Sequence, residues 1–189
     1  MGPIKKWSRR ILRRRYERAA ESGNAGAMIF LATLCAEDDP AASREWFRRA
    51  AEAGSVHSMY IVGLYLEPHE PAKAREWLER ASEQGHADAT VRLGVIDQQT
   101  DPDAARARYE LAAKRGSAIA MYNLGLMLEE SEPAAALGWY ERAAAGGDAD
   151  AMVKLAAHVE PSDPDAAREL LERAATAGHR EARKRLDLA

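Results

Sequence analysis

Apolar residues return along this chain in two alternating blocks that share a period of 31 residues. In the first block Met28, Met59, Met121 and Met152 form a column, with Thr90 standing in the same place. Three residues on come Leu31, Val62, Leu93, Leu124 and Leu155, followed by Ala32, Gly63, Gly94, Gly125 and Ala156. Small residues precede the Met column at Ala27, Ser58, Ala89, Ala120 and Ala151. Steps of three and four place these positions on one helical face, and the Ala/Gly column predicts that another helix approaches closely there. The second block runs through Trp46/Phe47, Trp77/Leu78, Tyr109, Trp139/Tyr140 and Leu170/Leu171. It ends on a small pair, such as Ala50-Ala51 or Ala143-Ala144. Each period therefore predicts two helices.

Polar punctuation marks where those helices begin and end. The first helix opens at Asn24, Ser55, His86, Ser117 or Asp148, and four of these five residues are good N-caps, because a short acceptor takes an orphan backbone N–H. The second opens at an acid–proline pair: Asp39-Pro40, Glu70-Pro71, Asp101-Pro102, Glu132-Pro133, Asp163-Pro164. Proline suits the first helical position, where its missing N–H costs nothing. The acids face the positive end of the helix dipole and read as capping groups in all five copies. Glycines at Gly23, Gly54, Gly85, Gly116, Gly147 and Gly178, again 31 apart, read as left-handed stops after the second helix.

Composition changes the picture little. The 189 residues carry 27 Lys and Arg against 30 Asp and Glu, and are 47% apolar and 30% charged, as expected of a folded globular chain. Of the basic residues 21 are Arg and only 6 Lys, in an Ala-rich background that hints at a bacterial, high-GC genome. The single cysteine, Cys35, excludes an internal disulfide and a thiolate-rich zinc site. No run approaches the ~20 apolar residues of a membrane span. Met1-Gly-Pro-Ile-Lys-Lys-Trp7 has no apolar stretch behind its charge, so no signal peptide is expected. Lys6 stands where a myristoylation motif wants Ser or Thr. The expected compartment is the cytoplasm.

The run Ala-Ala-x-x-Gly, then Ala-Met-x-x-Leu-Gly, then Ala-x-x-Trp-Tyr-x-x-Ala-Ala resembles the Sel1-like repeat family, relatives of the tetratricopeptide repeat. The clearest copy extends from Gly116-Ser-Ala-Ile-Ala-Met-Tyr-Asn-Leu-Gly125 to Trp139-Tyr140-Glu-Arg-Ala-Ala144. The resemblance covers roughly residue 16 onward. One departure is the connector between the two helices, which is a short acidic stretch here where the family carries extra residues. The period is also shorter than the ~34 of a tetratricopeptide repeat. The resemblance implies an all-α, right-handed superhelical solenoid of helix pairs, about twelve helices in all, whose first helices line a concave face. The domains expected are a basic capping helix over 1–22, five repeats over 23–178, and a polar capping helix over 179–189, with Arg183 where Met belongs and Asp187 where Gly belongs.

Catalysis has little to stand on. His57, His69, His86, His158 and His179 fall with no metal-ligand pairing, and neither a phosphate loop nor a nucleophile elbow is present. No enzyme activity, catalytic residue, metal, cofactor or small-molecule substrate is expected. The concave face offers more. One column there is Ile29, Tyr60, Val91, Tyr122, Val153, and another is Phe30, Ile61, Arg92, Asn123, Lys154. Ile29, Val91 and Val153 read as packing between repeats. Tyr60, Tyr122, Arg92, Asn123 and Lys154 read equally as packing or as a partner-binding patch, since aromatic and Arg residues are favoured in such patches. Related tetratricopeptide domains hold C-terminal carboxylates with Asn, Lys and Arg on this face, but the other clamp columns here are apolar, which argues against a true clamp.

Charge is uneven along the chain. Residues 1–22 hold eight basic groups, Lys5, Lys6, Arg9, Arg10, Arg13, Arg14, Arg15 and Arg18, against Glu17 and Glu21, a net of +6, which leaves −9 for the rest. Ile4, Trp7, Ile11, Leu12 and Tyr16 make the same segment amphipathic. It reads first as a cap with one docked and one solvated face. The alternative is a contact for an anionic surface through Lys5, Lys6, Arg9, Arg10, Arg13 and Arg14, whether membrane, nucleic acid or acidic protein. The function expected is a scaffold or adaptor that binds a peptide or helix of another protein on the concave face, with the electrostatic tether as runner-up.

Overall fold

The computed structural model of the chain describes residues 13–187. Helix α1 covers residues 13–21 of these. Then come α2 (Ala25–Cys35), α3 (Pro40–Glu52), α4 (Val56–Leu66), α5 (Pro71–Glu83), α6 (Ala87–Asp97), α7 (Pro102–Lys114), α8 (Ala118–Leu128), α9 (Pro133–Ala145), α10 (Ala149–Val159), α11 (Pro164–Thr176) and α12 (Arg180–Asp187). No strand occurs among the described residues. The fold is all-α, with twelve helices among the described residues, built as the helix pairs that the period predicts. The part of the basic segment before Arg13 lies outside the described residues.

Local chemistry sets each boundary. Asn24, Ser55, Ser117 and Asp148 each accept a hydrogen bond from the backbone N–H three residues on, at Ala27, Ser58, Ala120 and Ala151. Histidine does the same in that place. His86 Nδ1 accepts from the Ala89 N–H at 3.3 Å, and His179 Nδ1 from the Ala182 N–H at 3.2 Å. The ring nitrogen lies as many bonds from Cα as an asparagine Oδ1, so it reaches the same donor.

The acid–proline starts divide by side-chain length. Asp39, Asp101 and Asp163 cap through the N–H of Ala42, Ala104 and Ala166, whereas Glu70 and Glu132 make no side-chain cap. One extra methylene carries those carboxylates past the backbone. Glu70 pairs with Lys73, and Glu132 faces Arg106 at 3.8 Å. The expectation of five capping acids therefore holds at three, and the two glutamates contribute charge alone at the positive helix end. All six punctuating glycines have φ between +88° and +95°, where a β-carbon would cost about 1–2 kcal/mol.

The chain packs as two compact units, Met1–Ala89 and Thr90–Ala189. In the first, Ala20, Ala27, Met28, Leu31 and Ala50 form a buried cluster with Tyr16 and Trp46 against it. In the second, one cluster joins Val91 of α6 to Ala105, Tyr109 and Ala112 of α7 and to Ala120 and Leu124 of α8. Another runs from Leu128 through Tyr140, Met152 and Leu171 to Ala182 of α12. The small column meets the second helix of its own pair. A β-carbon on Gly63 would lie 2.6 Å from Leu78 Cγ, one on Gly94 2.6 Å from Tyr109 Cε1, and one on Gly125 would enter the Tyr140 ring. Glycine admits the ring where alanine would push it out, so the close approach read from the column is real.

Candidate protein-binding surface

The outward face of the first helices is built by the same spacing that buries their other side. Met121, Leu124, Gly125 and Leu128 of α8 turn toward the core, which leaves Ile119, Asn123 and Leu126 on the opposite side at steps of three and four, with Tyr122 at its edge packed against the core cluster of Leu128 and Tyr140. Ile119 is 51% exposed and Leu126 37%, while Tyr122 and Asn123 are half-buried. On α6, Val95 is 40% exposed and Val91 is buried in the cluster with Ala120 and Leu124. Val91 is thus a packing residue, as expected, and Ile29 and Val153 also rest against core clusters.

The five residues singled out from sequence separate into different roles. Tyr60, half-buried in the first unit, stacks on the His86 ring at 4.6 Å with His57 6.4 Å away. Burial pushes the His86 pKa down, opposed by Asp88 and helped by His57. Tyr122 tilts against Tyr140 at 5.8 Å. Its phenol pKa is raised, first by burial and then by the negative charges of Asp150, Asp148 and Glu129. Arg92 is half-buried, and its charge opposes the rise that burial imposes on Tyr109.

Lys154 does not stand ready for a foreign carboxylate. Its Nζ donates to both oxygens of Glu129, at 2.8 and 2.9 Å, and Arg185 holds Glu160 at 2.6 Å in the same register one period later. Both pairs span 25 residues, from one first helix to the end of the preceding one. At Lys154, and at Arg185 one period on, this stripe ties repeats together. Beside the Lys154–Glu129 pair the Tyr140 hydroxyl is buried with no hydrogen-bond partner of ordinary geometry among the described residues. Burial, then the Glu129 charge, pushes its pKa up.

Of the basic surface residues, Lys5, Lys6, Arg9 and Arg10 lie outside the described residues. Arg13 and Arg14 are exposed on α1, and Arg13 pairs with Glu17 at 2.9 Å.

Sequence reasoning missed the exposed apolar positions Val95, Leu111, Ile119 and Leu126. The period carried a signal for two of them. Ile119 shares its column with His57, Asp88 and Asp150, and Leu111 shares one with Arg49, Arg80, Arg142 and Arg173. An apolar residue in an otherwise polar column marks surface that packing does not demand. No helix among the described residues is long and apolar enough to cross a membrane.

Comparison with known proteins gives this architecture its relatives. Comparison with curated protein sequences yields no match. Among solved structures, the chain is similar to c5321, a protective antigen of uropathogenic Escherichia coli displaying an SLR fold, with 26% identity and a TM-score of 0.74 over 86% of this chain. It spans only 40% of that protein's length. It is also similar to a Sel1 repeat protein from Oxalobacter formigenes, with 24% identity, a TM-score of 0.75, and 85% and 74% of the two chains covered. The immunity protein Pa5087 from Pseudomonas aeruginosa shares the fold at 21% identity and a TM-score of 0.61, with 92% and 74% covered. The Sel1 repeat profile matches residues 27–55, 58–86, 88–117, 118–148 and 149–179, a run in which the glycine stops and small columns described above recur copy by copy. Sel1 repeats commonly mediate protein–protein interaction and are generally non-enzymatic scaffolds, and with five matched copies over most of its length this chain belongs to the Sel1 repeat family.

Proposed function

We propose that this protein is a scaffold or adaptor that binds a peptide or helix of another protein on the outward face of its first helices. The observation that carries the reading is apolar exposure there: Val95, Ile119 and Leu126 lie open to solvent beside the half-buried Tyr122. Burying such surface is the main favourable term in association. In the second unit Arg92, Tyr122 and Asn123 supply the contacts and Lys154 contributes a charge already tied to Glu129; in the first unit Tyr60 supplies one of its own. The protein acts in the cytoplasm, where the free Cys35 stays reduced.

The test is the double change Tyr60→Ala and Tyr122→Ala. A partner captured from the native cell by the wild type should be lost, with far-UV circular dichroism unchanged. Undiminished capture would remove this surface. A second reading, an electrostatic tether through the basic segment, is favoured by the exposure of Arg13, Arg14 and Arg15 on one short helix. It requires binding to anionic vesicles or to DNA that fades with salt and vanishes when the basic residues of 1–22 are neutralised.

A further inference from the structure

The exposed apolar surface is not spread evenly over the repeats. All four large apolar residues that are well exposed among the described residues fall between Val95 and Leu126. Three of them, Val95, Ile119 and Leu126, lie on the outward face of α6 and α8. In the same columns the other first helices of described repeats place Gly26, His57, Asp88 and Asp150, or Thr33, the half-buried Leu64 and Ala157. Helix α8 also has no charged residue at all. Ile119, Tyr122 and Leu126 follow one another at three- and four-residue steps, a ridge about 10 Å long. Val95 widens it, because Val91 packs α6 against Ala120 and Leu124 of α8.

The flank of that ridge is negative. The charges that raise the Tyr122 phenol's pKa are those of Asp150, Asp148 and Glu129, all carboxylates. Lys154 offsets Glu129. Asp148 caps α10, and Asp150, with its side chain 61% exposed, pairs with His179 at 3.0 Å. An apolar ridge with carboxylates along one side fits a ligand of complementary pattern.

We infer that the ridge of Val95, Ile119, Tyr122 and Leu126 docks an amphipathic helix of a partner protein whose apolar stripe is bordered by Lys or Arg residues lying against Asp148 and Asp150. The inference rests on the scaffold reading above and names the partner's chemistry and the repeats that read it.

Two designed peptides of about five helical turns test it, with one shared Leu stripe flanked by Lys in one and by Glu in the other. Binding to the full chain is read by fluorescence anisotropy. The Lys-flanked peptide should bind at least about tenfold more tightly, a difference of ~1.4 kcal/mol, and Asp150→Asn should shrink that preference. Ile119→Asp should abolish binding of both peptides. That variant keeps the fold, because Asp occupies the same column at Asp88 and Asp150 and an acid is favourable in a first helical turn. Leu126→Ser is the independent second variant. Equal affinity for the two peptides, or binding that survives both Ile119→Asp and Leu126→Ser, would overturn the inference. So would concentration-dependent self-association of the full chain that Ile119→Asp abolishes, since the ridge would then be covered by a second copy. Loss of the native partner with the tyrosine double variant, without peptide discrimination, would leave the scaffold reading standing and this one refuted. Peptide discrimination with a native partner that ignores both tyrosines would do the reverse.

Discussion

The helix pairs α6–α7 and α8–α9 share their helix lengths and differ most where the two helices of each pair meet. In α8–α9 the column near the end of the first helix holds Leu128, and the facing helix carries Trp139 with Arg142 stacked over its ring at 4.2 Å. In α6–α7 the same columns hold Asp97 and Arg108, joined at 2.5 Å with the Asp97 side chain 7% exposed, and Leu111 replaces the stacking arginine. The neighbouring tyrosines differ in step. Tyr109 donates its hydroxyl to Gln98 at 3.1 Å, while Tyr140 leaves its own without a bond of ordinary geometry. The repeat thus tolerates a charge in an apolar column when its partner column changes too. The freed surface position, Leu111, turns apolar.

The largest effect should come from breaking that substitution in half. Arg108→Ala removes one partner of the buried Asp97 carboxylate and should cost about 3 kcal/mol. The paired change Asp97→Leu with Arg108→Trp copies α8–α9 and should restore wild-type stability or add about 1–4 kcal/mol. Urea unfolding followed by circular dichroism reads both, and a double variant as weak as Arg108→Ala would show the two chemistries are not exchangeable. Where the pairs agree, so should their variants. Leu93→Ala and Leu124→Ala, both fully buried in the same column, should each lose about 2–5 kcal/mol in the same assay.

Smaller differences separate the pairs again. Tyr109→Phe should cost about 1 kcal/mol for its lost hydrogen bond, whereas Tyr140→Phe should be neutral or slightly stabilising. Equal losses would mean that Tyr140 is satisfied in solution. At the second-helix starts, Asp101→Ala should cost about 1 kcal/mol and Glu132→Ala no more than about 0.3 kcal/mol, because only Asp101 reaches a backbone donor. Thermal midpoints of the two variants are enough to rank them.

Much of the fold was legible because its signals are local. Asn24, Pro40 and Gly54 each act within one turn of themselves, so a 31-residue rhythm of such residues reports every helix end. His86 escaped the cap reading only because histidine is a rare cap, although its ring nitrogen reaches as asparagine does. Glu70 and Glu132 were misread as caps because charge and reach were treated as one property. The candidate surface was half legible. Tyr122 and Asn123 are half-buried, Tyr122 against the core of the second unit, and Lys154, which the sequence leaves open between packing and a partner, is tied to Glu129 across a repeat.

The sequence by itself determined the period, the two helices in each copy, their starts and stops, and the small column that lets them close. Each of these depends on backbone geometry a few residues wide. Tertiary structure alone decided which charges cancel and which apolar groups stay open. Lys154 meets Glu129 over 25 residues, Arg108 meets Asp97 between helices, and Ile119 is left in water because the core is complete without it. Such outcomes depend on how neighbouring helices stack, and no local rule contains that.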